Sequence, residues 1–282
     1  MGLAAPGQAQ PATPSVEDVA LTVEDLDRAV PFYRDALSFV PVDTTTLSGP
    51  SVGRLVGVFG ARMRRVTMRL GQETIRLVEF RSRQGRPIPP DSRSNDLWFQ
   101  HIAIVVSDME QAYDRVRSHG VTHVSPRPQT LPASIPAAAG ISAFYFKDPT
   151  GNALELIHYP PDKGRDRWHR ETDALFQGVD HTAIATADTE ASLAFYRDQL
   201  GFEVPGGSVN FGPEQERLTG VFGARVKITA LRPPGGGIGV ELLDYQAPGT
   251  GRPMPADTKA NDLWHWHVRA RTASLDATTQ RL

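Results

Sequence analysis

Val179-Asp180-His181-Thr182-Ala183-Ile184-Ala185, followed by Ala194-Phe195-Tyr196-Arg197-Asp198, reads as a strand carrying one histidine, a turn, and an amphipathic helix. The same pattern stands earlier as Val16-Glu17-Asp18-Val19-Ala20-Leu21-Thr22 with Phe32-Tyr33-Arg34-Asp35, a constant 163 positions upstream (179 − 16 and 195 − 32). A repeat of that length decides the architecture before any single motif does.

Working outward, Asp25 is placed to cap a helix over about Leu26–Leu37, and strand-like runs follow near Leu55–Phe59, Arg65–Leu70 and Thr74–Phe80. Strand, helix and three strands make one unit. A Pro- and Ser-rich connector, Gly85–Asp96, leads to a second opening at Phe99–Val106, whose helix is capped by Asp108 and closed by Gly120. The second unit carries a long Pro/Ala loop over Pro126–Gly140, of the kind kept to cover a site, and a hairpin around Asp148-Pro149-Thr150-Gly151 that reads as a plain turn. The polar stretch Tyr159–Arg170 marks the expected boundary between domains at 15–168 and 169–282, after a disordered tail over 1–14. Unit three repeats Gly57-Val58-Phe59-Gly60-Ala61-Arg62 as Gly220-Val221-Phe222-Gly223-Ala224-Arg225. The connector also recurs: Gly85-Arg86-Pro87 as Gly251-Arg252-Pro253, and Asn95-Asp96-Leu97-Trp98 as Asn261-Asp262-Leu263-Trp264. A fourth unit opens at Leu263 and is expected to be truncated, since only its first strand and part of a helix fit before Leu282.

Hydrophobic content of 40% and charged content of 22% are those of a globular chain. A net charge of −2 gives no reason to expect nucleic acid or an anionic membrane surface. The absence of cysteine excludes disulfides, zinc–thiolate sites and thiol nucleophiles. With no membrane-spanning apolar run and no signal-peptide pattern, a soluble, cytoplasmic protein is expected.

Four βαβββ units with openings such as Val-Asp-His-Thr-Ala-Ile and Phe-Tyr-Arg-Asp, and the closing Asp-Pro-Thr-Gly-Asn-Ala-Leu-Glu-Leu, resemble the vicinal oxygen chelate superfamily of glyoxalases, epimerases, extradiol dioxygenases and bleomycin-resistance proteins. The resemblance implies an α+β fold of tandem modules paired into curved mixed sheets, with helices outside and a divalent metal (Fe, Zn, Ni or Mn) on the concave face. Its ligand positions are one residue from the first strand and one from the last strand of each unit. Taken in chain order, units three and four would form a cup holding metal on His181, Glu241 and His267, with Glu241 and His265 serving in proton transfer. Units one and two would form the other cup, where His101 and Glu155 match the pattern but Asp18 and Arg76 stand at the remaining positions. A guanidinium there repels a cation, so that cup is expected to be closed by an Asp18–Arg76 charge pair. The implied activity is a metal-dependent lyase, isomerase or ring-cleaving dioxygenase acting on a vicinally oxygenated small molecule. The rival is a metal-free binding or sequestering protein of the bleomycin-resistance kind, and a homodimer completing the fourth unit stands beside both.

Overall fold

The computed structural model describes residues 14–280 and 282. The expected tail over 1–14 therefore lies, apart from Pro14, outside the described residues. Unit one comprises β1 (Ser15–Thr22), α1 (Leu26–Asp35), β2 (Val40–Ser48), α2 (Pro50–Val56), β3 (Arg62–Leu70) and β4 (Glu73–Phe80). Unit two comprises β5 (Gln100–Val106), α3 (Met109–Ser118), the short β6 (Thr122–His123) and β7 (Gln129–Thr130), β8 (Ser142–Lys147) and β9 (Ala153–His158). Unit three runs through β10 (Phe176–Thr186), α4 (Thr189–Leu193), β11 (Glu203–Asn210), α5 (Pro213–Thr219), β12 (Arg225–Arg232) and β13 (Gly239–Ala247). β14 (Trp266–Arg271) and α6 (Leu275–Thr279) open unit four.

The helices form where the spacing places them. Asp25 accepts from Asp27 N and Asp108 from Gln111 N, and α1 and α3 bury Leu26, Ala29 and Tyr33, and Met109, Ala112 and Val116, against the backs of the sheets. One continuous apolar core joins these to Ile102, Ile104, Leu154, Leu156, Val240 and Leu242, the alternate residues of the strands. Two expectations fail locally. The run at Leu55–Phe59 is not a strand; it ends helix α2 at the left-handed Gly57, and the strand lies at Val40–Ser48. That strand is an edge, mostly exposed, so its β-branched Thr and Val residues carry no apolar alternation. The amphipathic helix expected over Ala194–Asp198 is not α-helical: α4 gives way to a π-helical turn over Ala194–Gln199, where Phe195 is 41% exposed.

Strand pairing departs from chain order. Units two and three share a nine-stranded sheet, β11-β12-β13-β10-β5-β9-β8-β6 with β7 on β8, in which β10 lies antiparallel to β5. Unit one pairs with unit four in a second sheet, β14-β1-β4-β3-β2. The expected break at 168/169 thus falls in the link between β9 and β10, two strands of one sheet that flank β5. The physical reason lies in the repeated connectors, which exchange partners. Arg86 of the first connector donates to Asp262 (2.7 Å) and Asp257 (2.9 Å) of the second, and its guanidinium lies 4.9 Å from the Trp264 ring. Arg252 of the second returns the same bonds to Asp96 (2.7 Å) and Asp91 (3.0 Å) and lies 4.7 Å from Trp98. Leu263 N donates to Arg86 O, and Leu97 N to Arg252 O. Asp96 and Asp262 are buried, and each needs the arginine and backbone N–H groups of the opposite connector.

The crossing leaves no room at Gly85, where a Cβ would overlap the carbonyl of Asn261. Gly85→Ala should lower the unfolding free energy by about 1–3 kcal/mol in urea denaturation, and an unchanged midpoint would contradict this packing.

Candidate metal centre

The site grows from the β5–β10 strand pair. His101 pairs in register with Ala183, and His181 with Ala103. Ala103 in turn lies beside Glu155 on β9, and Ala183 beside Glu241 on β13. Each alanine thus stands between a histidine on one side and a glutamate on the other, and its small methyl side chain leaves a hollow that the four polar groups face. Val179 packs in the helix-side core while Ala183 faces the cup, although the two are an even number of residues apart. The irregularity between Val179 and His181 makes this switch, turning the imidazole inward.

One ligand atom each from His101, Glu155 and His181 lies within 4.8 Å of the others. His101 Nε2 is 3.0 Å from Glu155 Oε2, and His181 Nε2 is 3.6 Å from the same oxygen and 3.3 Å from Glu241 Oε2. His101 Nε2 has only Glu155 beside it, and its Nδ1 is buried without a hydrogen-bond partner. Leaving buried polar atoms unmatched costs free energy, and two imidazoles with one carboxylate are donors a divalent ion takes. The residues therefore fit a metal.

Charge supports the same conclusion. Burial lowers the pKa of His101, keeping it the neutral imidazole that binds a cation. Burial alone would raise Glu155, but bonds from His101 and His181 outweigh it and bring the carboxyl down to about 2. Burial would lower His181, yet the charge of Glu241 and bonds to Asp180 and Glu155 outweigh it and raise His181 well above its ordinary value. Burial pushes Glu241 up, only partly offset by His181. Glu241 is also the more open carboxylate, its side chain 24% exposed against 6% for Glu155.

Asp180 orients His181 through Nδ1, at 3.0 Å. It is held in turn by Trp168 Nε1 (2.7 Å), Arg165 Nε (2.9 Å) and Tyr159 OH (3.1 Å). All three come from the stretch that reads as a domain boundary, which instead braces the site. The long Pro/Ala loop contributes Leu131 and Ala138 to a cavity of about 200 Å³ over Glu155, His181 and Glu241, with Tyr145 also in its wall.

His267 and His265 are not here. Because β14 pairs with β1, His267 lies opposite Ala20 in the five-stranded sheet, and both histidines line a separate cavity with Thr22, Met63 and Phe80. In that second cup Arg76 Nε stands 3.2 Å from buried Asp18, and Arg269 Nη2 bonds the same oxygen at 2.6 Å. Asp148 is more than a turn: it is buried, accepts from three backbone N–H groups and takes the Tyr33 hydroxyl at 3.1 Å, tying unit two to unit one. Residues unread in the sequence are Asp180, Tyr145 and the two alanines, although His-x-Ala at 101–103 and 181–183 was a visible signal.

The chain matches the Glyoxalase/Bleomycin resistance protein/Dioxygenase superfamily over residues 15–156 and 178–282, and it belongs to that superfamily. A 2-epi-5-epi-valiolone epimerase from Actinomyces sp. is 32% identical over 159 residues, covering 55% of this chain and 84% of the epimerase. An iron-dependent extradiol dioxygenase from Rhodococcus jostii is 40% identical over 67 residues, 21% of either chain. Glyoxalase I from Zea mays shares the fold, with a TM-score of 0.60 at 12% identity over 95% of this chain and 78% of that one. Among the described residues no helix is long and apolar enough to cross a membrane.

A pKa raised by folding adds stability that is complete below the ordinary histidine value of 6.5 and is lost as pH rises through the folded value. His101, lowered instead, costs stability only as pH falls below 6.5. Metal-stripped protein should therefore melt at progressively lower temperature above pH 6.5, and His181→Gln should flatten that slope in thermal melts across pH.

Proposed function

We propose that the chain is a metal-dependent isomerase or epimerase that moves a proton on the carbon next to a carbonyl of a small oxygenated substrate, with the site between units two and three. The observation that carries this reading is the second carboxylate: Glu241 stands beside His181 in addition to the His101–Glu155–His181 set. His101, Glu155 and His181 would hold the ion, which supplies Lewis-acid polarisation of the substrate oxygens when bound. Glu241, more open and raised in pKa by burial, is the group suited to take the α-proton as the C–H electron pair moves onto the carbonyl oxygen. Tyr145 lies on the opposite flank, since β13 and β8 stand on either side of the β10–β5–β9 centre. Burial, with the charges of Glu155 and Glu241, holds its phenol protonated, so it can return a proton to the other face of the carbon. The shift needs no oxidant: Glu241 gains one proton as Tyr145 loses another, and exchange with solvent returns Glu241 to the carboxylate and Tyr145 to the phenol. The epimerase likeness over 84% of that relative's length supports the same choice.

A ring-cleaving dioxygenase is the second reading, because two histidines and one carboxylate are also the donor set of oxygen-activating iron sites. Such chemistry needs positions open for both catechol oxygens and for O₂, and Glu241 crowds them. The metal-free binding alternative leaves two buried imidazoles converging on one buried carboxylate with no ligand to hold.

In D₂O, metal-loaded protein given 2-hydroxycyclohexanone should exchange the α C–H for C–D, followed by proton NMR. Glu241→Gln should slow exchange by about 10²–10⁴-fold with metal content unchanged. Exchange indifferent to that substitution, or oxygen uptake with catechol, would overturn the assignment.

A further inference from the structure

A larger cavity, of about 560 Å³, lies away from the metal centre, on the concave face of the five-stranded sheet. Its walls are mainly apolar, with Met63, Val78 and Phe80 on the strands and Val56 at the end of α2, and none of its lining residues is an Asp or Glu. One step further along the strands stand three arginines. Arg76 lies two residues from Val78 on β4 and across Ala20 from His267, and both of those neighbours line the cavity. Arg65 is the diagonal neighbour of Arg76 on β3, two residues from Met63, and Arg269 lies two residues from His267 on β14. Strand alternation puts all three on the face that Ala20 shares.

Asp18 is neutralised from within, and what remains is positive. Arg269 Nη2 donates to Asp18 at 2.6 Å, whereas Arg76 offers the same carboxylate only its Nε, at 3.2 Å. The two Nη atoms of Arg76 make no bond to a described residue and, unlike Nε, are not enclosed, the side chain being 16% exposed. Arg65 forms no ion pair among the described residues; its Nη2 reaches only Thr45 Oγ1, at 3.4 Å, and the nearby Asp43 accepts from that same hydroxyl. Guanidinium groups with open N–H bonds beside an apolar hollow suit a carboxylate that carries an apolar tail. Asp18 and Glu17, both paired with Arg269, stand behind them and disfavour a second negative charge on the ligand.

We propose that the five-stranded sheet holds a second, metal-free binding site for a monocarboxylate with an apolar tail, whose carboxylate is held by Arg65 and Arg76 and whose tail lies against Met63, Val78 and Phe80. This site stands apart from the metal centre and from the reaction assigned to it.

The test uses the full chain, stripped of metal so that no carboxylate can ligate an ion, titrated by calorimetry with octanoate and with octan-1-ol, which has the same number of carbons and no charge. Octanoate should bind at least about tenfold more tightly, and in ¹³C-methyl-methionine NMR it should shift Met63 and leave Met109, on the helix side of the other sheet, in place. Arg65→Met and Arg76→Met should each weaken octanoate binding about tenfold and leave octan-1-ol binding unchanged, which reports an intact cavity. Should Arg76→Met fail to fold, Arg65→Met, whose guanidinium holds no ion pair, decides alone. His181→Gln should bind octanoate as the parent chain does; a loss there would place the carboxylate at the metal centre and overturn the proposal. No octanoate binding, equal binding of the two compounds by the parent chain, or full octanoate affinity in Arg65→Met would overturn it as well.

Discussion

The reciprocal exchange of Arg86 and Arg252 between connectors is the constraint from which the rest follows. Each guanidinium caps a buried aspartate of the other connector and lies over its tryptophan, so the two crossings form as a pair. Removing either arginine would strand a buried carboxylate, and a stranded charge costs far more than a complete pair contributes. The crossing sends unit two to unit three and leaves unit one for unit four. It is therefore what brings His101 and Glu155 to the same strand pair as His181 and Glu241.

That pairing divides two chemistries between two sheets. In the larger sheet, donors from units two and three surround a hollow floored by Ala103 and Ala183, and a histidine keeps a proton where a cation would be better matched. In the smaller one, Arg76 and Arg269 already deliver positive charge to Asp18, and a permanent guanidinium occupies the place that an ion would need. One scaffold thus carries a cation-seeking cup and a self-neutralised one. The difference comes down to which side chains stand at equivalent positions on equivalent strands.

The duplicated openings and caps made the βαβββ units legible, and Asp25, Asp108 and Gly120 act where their residue types say they should. The residues that meet in the hollow were legible one by one, because a strand's alternation places His101 and Glu155, like His181 and Glu241, toward one face. The partnership among them was not. A tandem repeat is equally consistent with pairing in chain order and with pairing across it, and only the Arg–Asp crossing decides. Its residues stood in view as a recurring connector, but a Gly-Arg-Pro and an Asn-Asp-Leu-Trp say nothing about which copy each will meet. The exposed edge strand Val40–Ser48 was hidden for another reason: with no buried face, it has no apolar period to detect.

Metal stoichiometry in two single variants tests the shared-site claim most directly. Elemental analysis after dialysis should find metal lost from His101→Ala and retained in full by His267→Ala, because only the first residue lies on the sheet that holds His181 and Glu155. Loss in His267→Ala with retention in His101→Ala would contradict the account and restore pairing in chain order.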